Sequence, residues 1–140
     1  GPIVMSLPAF KRTETVLVDV MNMRKSGTYA HPDNDAHTVH VFSMGPGGAA
    51  AELHVAVQPD LPPTRYGAGG VHHVAFRVPD KAALTAWAER IQPTRLPNSG
   101  EVERYYFRSF FFREPDGILF ELASDDPGIA VDGERGATGL

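Results

Sequence analysis

Apolar and polar positions alternate with two different periods along this chain, and the second half shows both most clearly. Val71 to Val78 reads as a strand, with Val71, His73, Ala75 and Arg77 on one face and His72, Val74, Phe76 and Val78 on the other. Asp80 then stands where a helix cap is needed, and Leu84, Trp87, Ala88 and Ile91 recur at helical spacing, which predicts a helix of about three turns. A Pro/Gly/Asn loop follows from Pro93 to Gly100, with room for one more short strand. Tyr105 to Arg113 and Ile118 to Ala123 come next, aromatic-rich strands joined by the turn signal Pro115-Asp116-Gly117. The predicted order is β-α-β-β with a fourth strand in the loop.

The first half repeats this order. Ile3 to Leu7 is strand-like, a helix ending near Met23 places Val16, Leu17, Val20 and Met21 on one side, and His37 to Ser43 and Ala49 to Val57 read as strands. A shift of 69 positions superposes Gly1 on Gly70, Phe42 on Phe111, Pro46 on Pro115, Gly48 on Gly117, Glu52 on Glu121 and Leu53 on Leu122. The expected architecture is α+β: two βαβββ units forming a half-open mixed β-barrel. The first unit occupies 1–57 and the second 70–124, with a Pro-rich linker over 58–69 and a polar, Gly-rich tail over 125–140.

Strand parity selects the candidate chemistry. The face carrying Val74, Phe76 and Val78 should pack under the helix, leaving His73, Ala75 and Arg77 on the concave side of the sheet. By the same reasoning Ile118, Phe120 and Leu122 enter the core, and Glu121 shares the concave face with Leu119 and Ala123. An imidazole and a carboxylate aimed at one concave surface make half of a metal site; ordinary roles as hydrogen-bonded or solvated strand residues are the competing reading. His72 has core parity and reads as a core or interface residue. His31, His37, His40 and His54 lack a carboxylate at a recognisable ligand spacing and read as surface or strand residues.

Composition narrows the partners. With 13 basic and 17 acidic residues the net charge is −4, and no basic stripe suited to phosphates appears, so nucleic acid is not expected. The absence of cysteine excludes thiolate ligands, thiol nucleophiles and disulfides, leaving nitrogen and oxygen donors for any metal. No apolar run reaches the roughly 18 residues of a membrane span, so a cytoplasmic protein is expected. The start at Gly1, with a strand almost at once, suggests a trimmed chain or a fragment.

Two strings carry a resemblance. Gly-Gly-Val-His-His-Val-Ala-Phe-Arg-Val (69–78) and Tyr-Phe-Arg-Ser-Phe-Phe-Phe-Arg-Glu-Pro-Asp-Gly-Ile-Leu-Phe-Glu-Leu-Ala-Ser-Asp-Asp-Pro-Gly (106–128) resemble ring-cleaving dioxygenases of the hydroquinone 1,2-dioxygenase type, within the glyoxalase/bleomycin resistance/extradiol dioxygenase (vicinal oxygen chelate) superfamily. The resemblance implies paired βαβββ units around Fe(II), or alternatively Mn, Zn or Ni, held by two His and one Glu. His73 and Glu121 match two of these ligands. The third would come from a first strand, but the shift of 69 puts Val4 opposite His73, and no His occurs among residues 1–30. Since the resembled enzymes are about twice as long, the chain looks like a C-terminal half.

The same resemblance implies that Arg104 lines the substrate pocket and that Phe111 stands where many relatives carry Tyr. Arg77 or Arg104 would steady anionic oxygen, Tyr106 would contact substrate, and His72 could donate from behind the ligands if the strand twists. The expected activity is cleavage of a small hydroquinone- or catechol-type ring with O2, in a homodimer. The alternatives are a glyoxalase-like metal-dependent isomerase or epimerase, and a metal-free antibiotic-binding module lined by Phe110, Phe111, Phe112 and Tyr106.

Overall fold

The computed structural model describes residues 3–45, 51–61, 73–125, 136–137 and 140. The first unit runs β1 (Ile3–Leu7), α1 (Lys11–Thr15) continued by a π-helical turn (Val16–Val20), β2 (Arg24–His31), β3 (Asn34–Ser43) and β4 (Glu52–Val57). The second runs β5 (His73–Val78), α2 (Lys81–Ile91), a 3-10 turn (Gln92–Thr94), β6 (Asn98–Glu103), β7 (Arg108–Arg113) and β8 (Leu119–Ser124), with a short β9 (Gly136–Ala137). Each unit thus forms a mixed sheet, ordered β1-β4-β3-β2 in the first and β6-β7-β8-β5-β9 in the second. In both, the helix crosses over to the far edge of the sheet and two antiparallel pairings bring the last strand back beside the first, as its parallel neighbour. This is the expected α+β pair of βαβββ units.

Local chemistry accounts for the elements. Asp80 caps α2 through its carboxylate, which accepts from the Ala83 amide at 2.8 Å. Leu84, Ala88 and Ile91 are buried on the sheet side, with Trp87 at the margin. In the first unit Val16, Leu17 and Met21 are buried as expected, but the helix widens: the Met21 amide reaches back to the Val16 carbonyl at 3.0 Å. Asn22, at φ 58°, ends it.

One strand escapes the hydrophobic pattern. β2 contains no large aliphatic residue, is exposed along nearly all its length, and is held by its backbone ladder to β3, with irregularities after Lys25 and Ala30. The reading that began the next strand at His37 was therefore short, since β3 starts at Asn34. The extra strand foreseen in the Pro93–Gly100 loop is β6, an edge strand that also lacks apolar alternation.

A single apolar core joins the units, with Met5, Leu7, Leu17, Phe42, Leu53 and Val55 from the first and Phe76, Leu84, Phe110, Phe112, Phe120 and Leu122 from the second. Polar ties reinforce it. Arg12 pairs with Asp116 at 3.1 Å, the Thr13 hydroxyl contacts both Glu114 and Asp116, and Arg90 donates to the carbonyls of Asp19 and Val20 and to Asn22 Oδ1. Among the described residues, no helix is long and apolar enough to cross a membrane. The linker over 58–69 is described only to Leu61, and most of the tail lies outside the described residues.

Candidate metal centre

Alternation along β5 is as the sequence predicts: Val74, Phe76 and Val78 are buried, whereas His73 is exposed and Ala75 and Arg77 are half-buried. On β8, Phe120 and Leu122 are buried and Glu121 half-buried on the other face. The ladder sets His73 opposite Leu119 and Ala75 opposite Glu121, so the two functional side chains meet along a diagonal. His73 Nε2 lies 3.2 Å from Glu121 Oε1. Ser109, buried on neighbouring β7, directs its hydroxyl to the other oxygen, Glu121 Oε2, at 3.5 Å. Ser109 was not singled out from sequence; its parity with Phe111 was the available signal.

The donor pair fits a divalent metal. Two donors each about 2.1 Å from one ion are separated by about 3.0 Å at a right angle and about 3.4 Å at the tetrahedral angle. The observed 3.2 Å falls between, and both donors lie on the face opposite the buried side chains of their strands. Without a cation, the same contact is a hydrogen bond from the imidazole to the carboxylate. Among the described residues, no group of three or more His, Asp or Glu side chains could hold a metal, so the pair alone could supply no more than part of a coordination shell.

The flanking residues separate by face. Phe111 pairs in register with Glu121 on the concave side. Arg104, from the loop between β6 and β7, lies over it, with the guanidinium carbon 5.8 Å from the ring centroid. Arg77 is in register with Ala123 on the same face. Tyr106 follows Arg104 in the same loop, more than half exposed, its ring edge-on to that of Tyr105 at 4.4 Å. Phe110 and Phe112 do not line a concave pocket: both are buried in the core, because alternation turns them away from Phe111. That corrects the lining expected of an apolar binding module. His72 lies outside the described residues.

The ladders also revise the internal repeat. In each unit the residue after the last strand donates to the final carbonyl of the first: Gln58 to Leu7 at 2.7 Å, and Asp125 to Val78 at 2.9 Å. Counting back from these bonds, Val4 and His54 pair as Ala75 and Glu121 do. The structural counterpart of Glu121 is therefore His54, not Glu52, and that of Val4 is Ala75, not His73. The counterpart of His73 lies outside the described residues. The sequence shift departs from the ladders because Glu114 to Ile118 closes a tight turn, whereas Met44 to Ala51 closes a longer one.

Comparison with known proteins agrees with this architecture. Residues 10–122 match the Glyoxalase/Bleomycin resistance protein/Dioxygenase superfamily. The chain is 43% identical over 132 residues to the "Putative ring-cleaving dioxygenase MhqA" of Bacillus subtilis (strain 168), an alignment covering 94% of this chain and 41% of that protein. It is 40% identical over 87 residues to the chlorohydroquinone/hydroquinone 1,2-dioxygenase of Sphingobium indicum, covering 59% of this chain and 26% of that one. The chain thus spans well under half of these relatives. Among solved structures, a glyoxylase/bleomycin resistance protein/dioxygenase domain from Frankia sp. EAN1pec superposes with a TM-score of 0.75 at 12% identity, covering 92% of this chain and 93% of that one, which shows the fold. A Bacillus subtilis protein described as a "putative dioxygenase" superposes with a TM-score of 0.71 at 27% identity, covering 94% of this chain and 40% of that one. The chain belongs to the Glyoxalase/Bleomycin resistance protein/Dioxygenase superfamily.

Proposed function

We propose that this chain supplies the His73 and Glu121 ligands of a non-haem Fe(II) centre in a ring-cleaving dioxygenase that acts on a small hydroquinone- or catechol-type substrate with O2. The observation that carries this reading is the 3.2 Å His73–Glu121 contact on the concave face, flanked by Phe111 and Arg104. The names of the relatives point the same way. Bound iron would supply adjacent coordination positions for substrate oxygen and O2, and an electron path between them.

The remaining work falls to the chain. Ser109 steadies the free oxygen of Glu121. Phe111 offers an apolar ring beside the ligands, and Arg104, held over that ring, presents positive charge to an ionised substrate oxygen. Arg77, farther along the same face, serves anionic oxygen at the other end of the substrate. The remaining ligand comes from outside the described residues, from a longer chain or from a homodimer partner.

Anaerobic Fe(II) titration of the chain, of His73→Ala and of Glu121→Gln tests this reading, together with oxygen uptake on hydroquinone. Iron binding in the parent that both substitutions abolish supports it. Variants that bind iron as the parent does overturn it.

A further inference from the structure

The first unit holds a second cluster on its sheet, remote in sequence from the pair above. His54 bridges two partners: the Tyr29 hydroxyl lies 2.8 Å from Nδ1, and Glu52 Oε1 lies 3.1 Å from Nε2. The tautomer protonated on Nε2 satisfies both contacts at once. Nε2–H donates to the carboxylate, and Nδ1 accepts the phenolic proton. This is the order of a carboxylate–imidazole–hydroxyl relay, in which the acid fixes the ring and the ring takes the hydroxyl's proton.

Position argues that the relay faces a ligand. His54 is the structural counterpart of Glu121, in the middle of the same face of its own sheet. Its neighbours across the ladder are apolar, Val4 on β1 and Val41 on β3, and the next row is Ser6, Ala56, Val39 and Tyr29. Val39 and Ala56 are buried, but Val4 is 57% exposed and Tyr29 40% exposed, so an apolar side chain and a phenol lie open together at this row. Opposite Val41, Gly27 leaves the surface clear, for a Cβ there would meet nothing within 4 Å.

We propose that this face is a second small-molecule site, which takes a compact apolar ligand carrying one acidic hydroxyl and binds it as the anion. The ligand's O–H proton passes to the Tyr29 oxygen as the Tyr29 proton passes to His54 Nδ1. The ligand is left as an oxyanion accepting a hydrogen bond from Tyr29, and the imidazolium is neutralised by Glu52. Glu52 is a positioning residue, and Tyr29 is the group that meets the ligand.

4-Nitrophenol reports directly, because its ionised form absorbs visible light. With the chain in excess at a fixed, mildly acidic pH, the ionised fraction should rise. Tyr29→Phe and His54→Gln should each weaken that ionising interaction about tenfold, the worth of one lost hydrogen bond of moderate strength. Glu52→Gln should move the ionisation to higher pH, and Glu52→Asp should restore part of it. His73→Ala and Glu121→Gln should leave the signal intact, which separates this site from the metal centre. Circular dichroism confirms that each variant is folded. No protein-dependent ionisation, or a signal that survives Tyr29→Phe in a folded variant, overturns the proposal.

Discussion

His73 and Glu121 stand on parallel neighbouring strands but are not ladder partners, and their contact runs diagonally across β5 and β8 at 3.2 Å. Each side chain is therefore set by a different backbone position, and neither substitution should disturb the other strand. Metal affinity should fall beyond detection in His73→Ala and Glu121→Gln. Ser109→Ala, which only frees Glu121 Oε2, should cost about tenfold, at the low end for groups that orient ligands. Isothermal titration with Fe(II) or Zn(II) under anaerobic conditions checks the order; a Ser109→Ala loss as large as that of Glu121→Gln would contradict it.

Arg104 and Phe111 form a second testable pair. An exposed cation–π contact contributes about 0.5–1 kcal/mol, so Arg104→Met should change folding stability by no more than that. The effect on turnover should be larger and confined to substrate capture, with KM rising about tenfold and kcat little changed, since the charge meets the ionised oxygen before and after chemistry alike. Steady-state oxygen uptake on hydroquinone separates the two constants.

Hydrophobic patterning made most of this fold legible. β1, α2 with its Asp80 cap, and the opposite faces of β5 and β8 all follow from buried apolar side chains at strand or helix spacing. β2 was not legible because it buries almost nothing; its position is fixed by backbone pairing to β3, which leaves no trace in residue type. The His73–Glu121 pair could be read because each side chain is polar and lies opposite a well-defined core face. Its near-equivalent at His54 was hidden, since the best sequence shift matched Glu52 to Glu121 and so moved the register by two residues. Tyr29 completes that second cluster from β2, which patterning did not reveal.

Arg90 ties α2 to the end of the first unit's helix, donating to the Asp19 carbonyl at 3.0 Å, to Asn22 Oδ1 at 2.7 Å and to the Val20 carbonyl. These carbonyls are the unpaired acceptors that any helix end leaves. Arg90→Ala should lower stability by about 1–2 kcal/mol, which is small for three charge-assisted bonds because the site is open to water. Urea unfolding should show a reduced midpoint with an unchanged slope.

Glu114 is the buried carboxyl at the seam between the units. One oxygen accepts from the Ile118 amide at 2.8 Å, and the other meets the Thr13 hydroxyl, which also lies 2.6 Å from Asp116 Oδ2. Burial pushes its pKa above the ordinary carboxylate range; the hydrogen bonds from Thr13 and the Ile118 backbone pull it down without cancelling that effect, and nearby Asp116 adds to the rise. A carboxyl raised in the folded state binds its proton more tightly there than in the unfolded chain. Its contribution to stability is therefore complete below the unfolded pKa and is lost as pH rises through the folded value. Glu114→Gln keeps an oxygen for the Ile118 amide but has no proton to lose. The difference in Tm between Glu114→Gln and the parent should grow in favour of the variant as pH rises from about 4.5, the ordinary glutamate value, and level off once the parent's carboxyl is ionised. Thermal unfolding of both proteins from acid to neutral pH measures it, and a gap that stays constant or narrows with rising pH would show that Glu114 is already ionised where the fold forms.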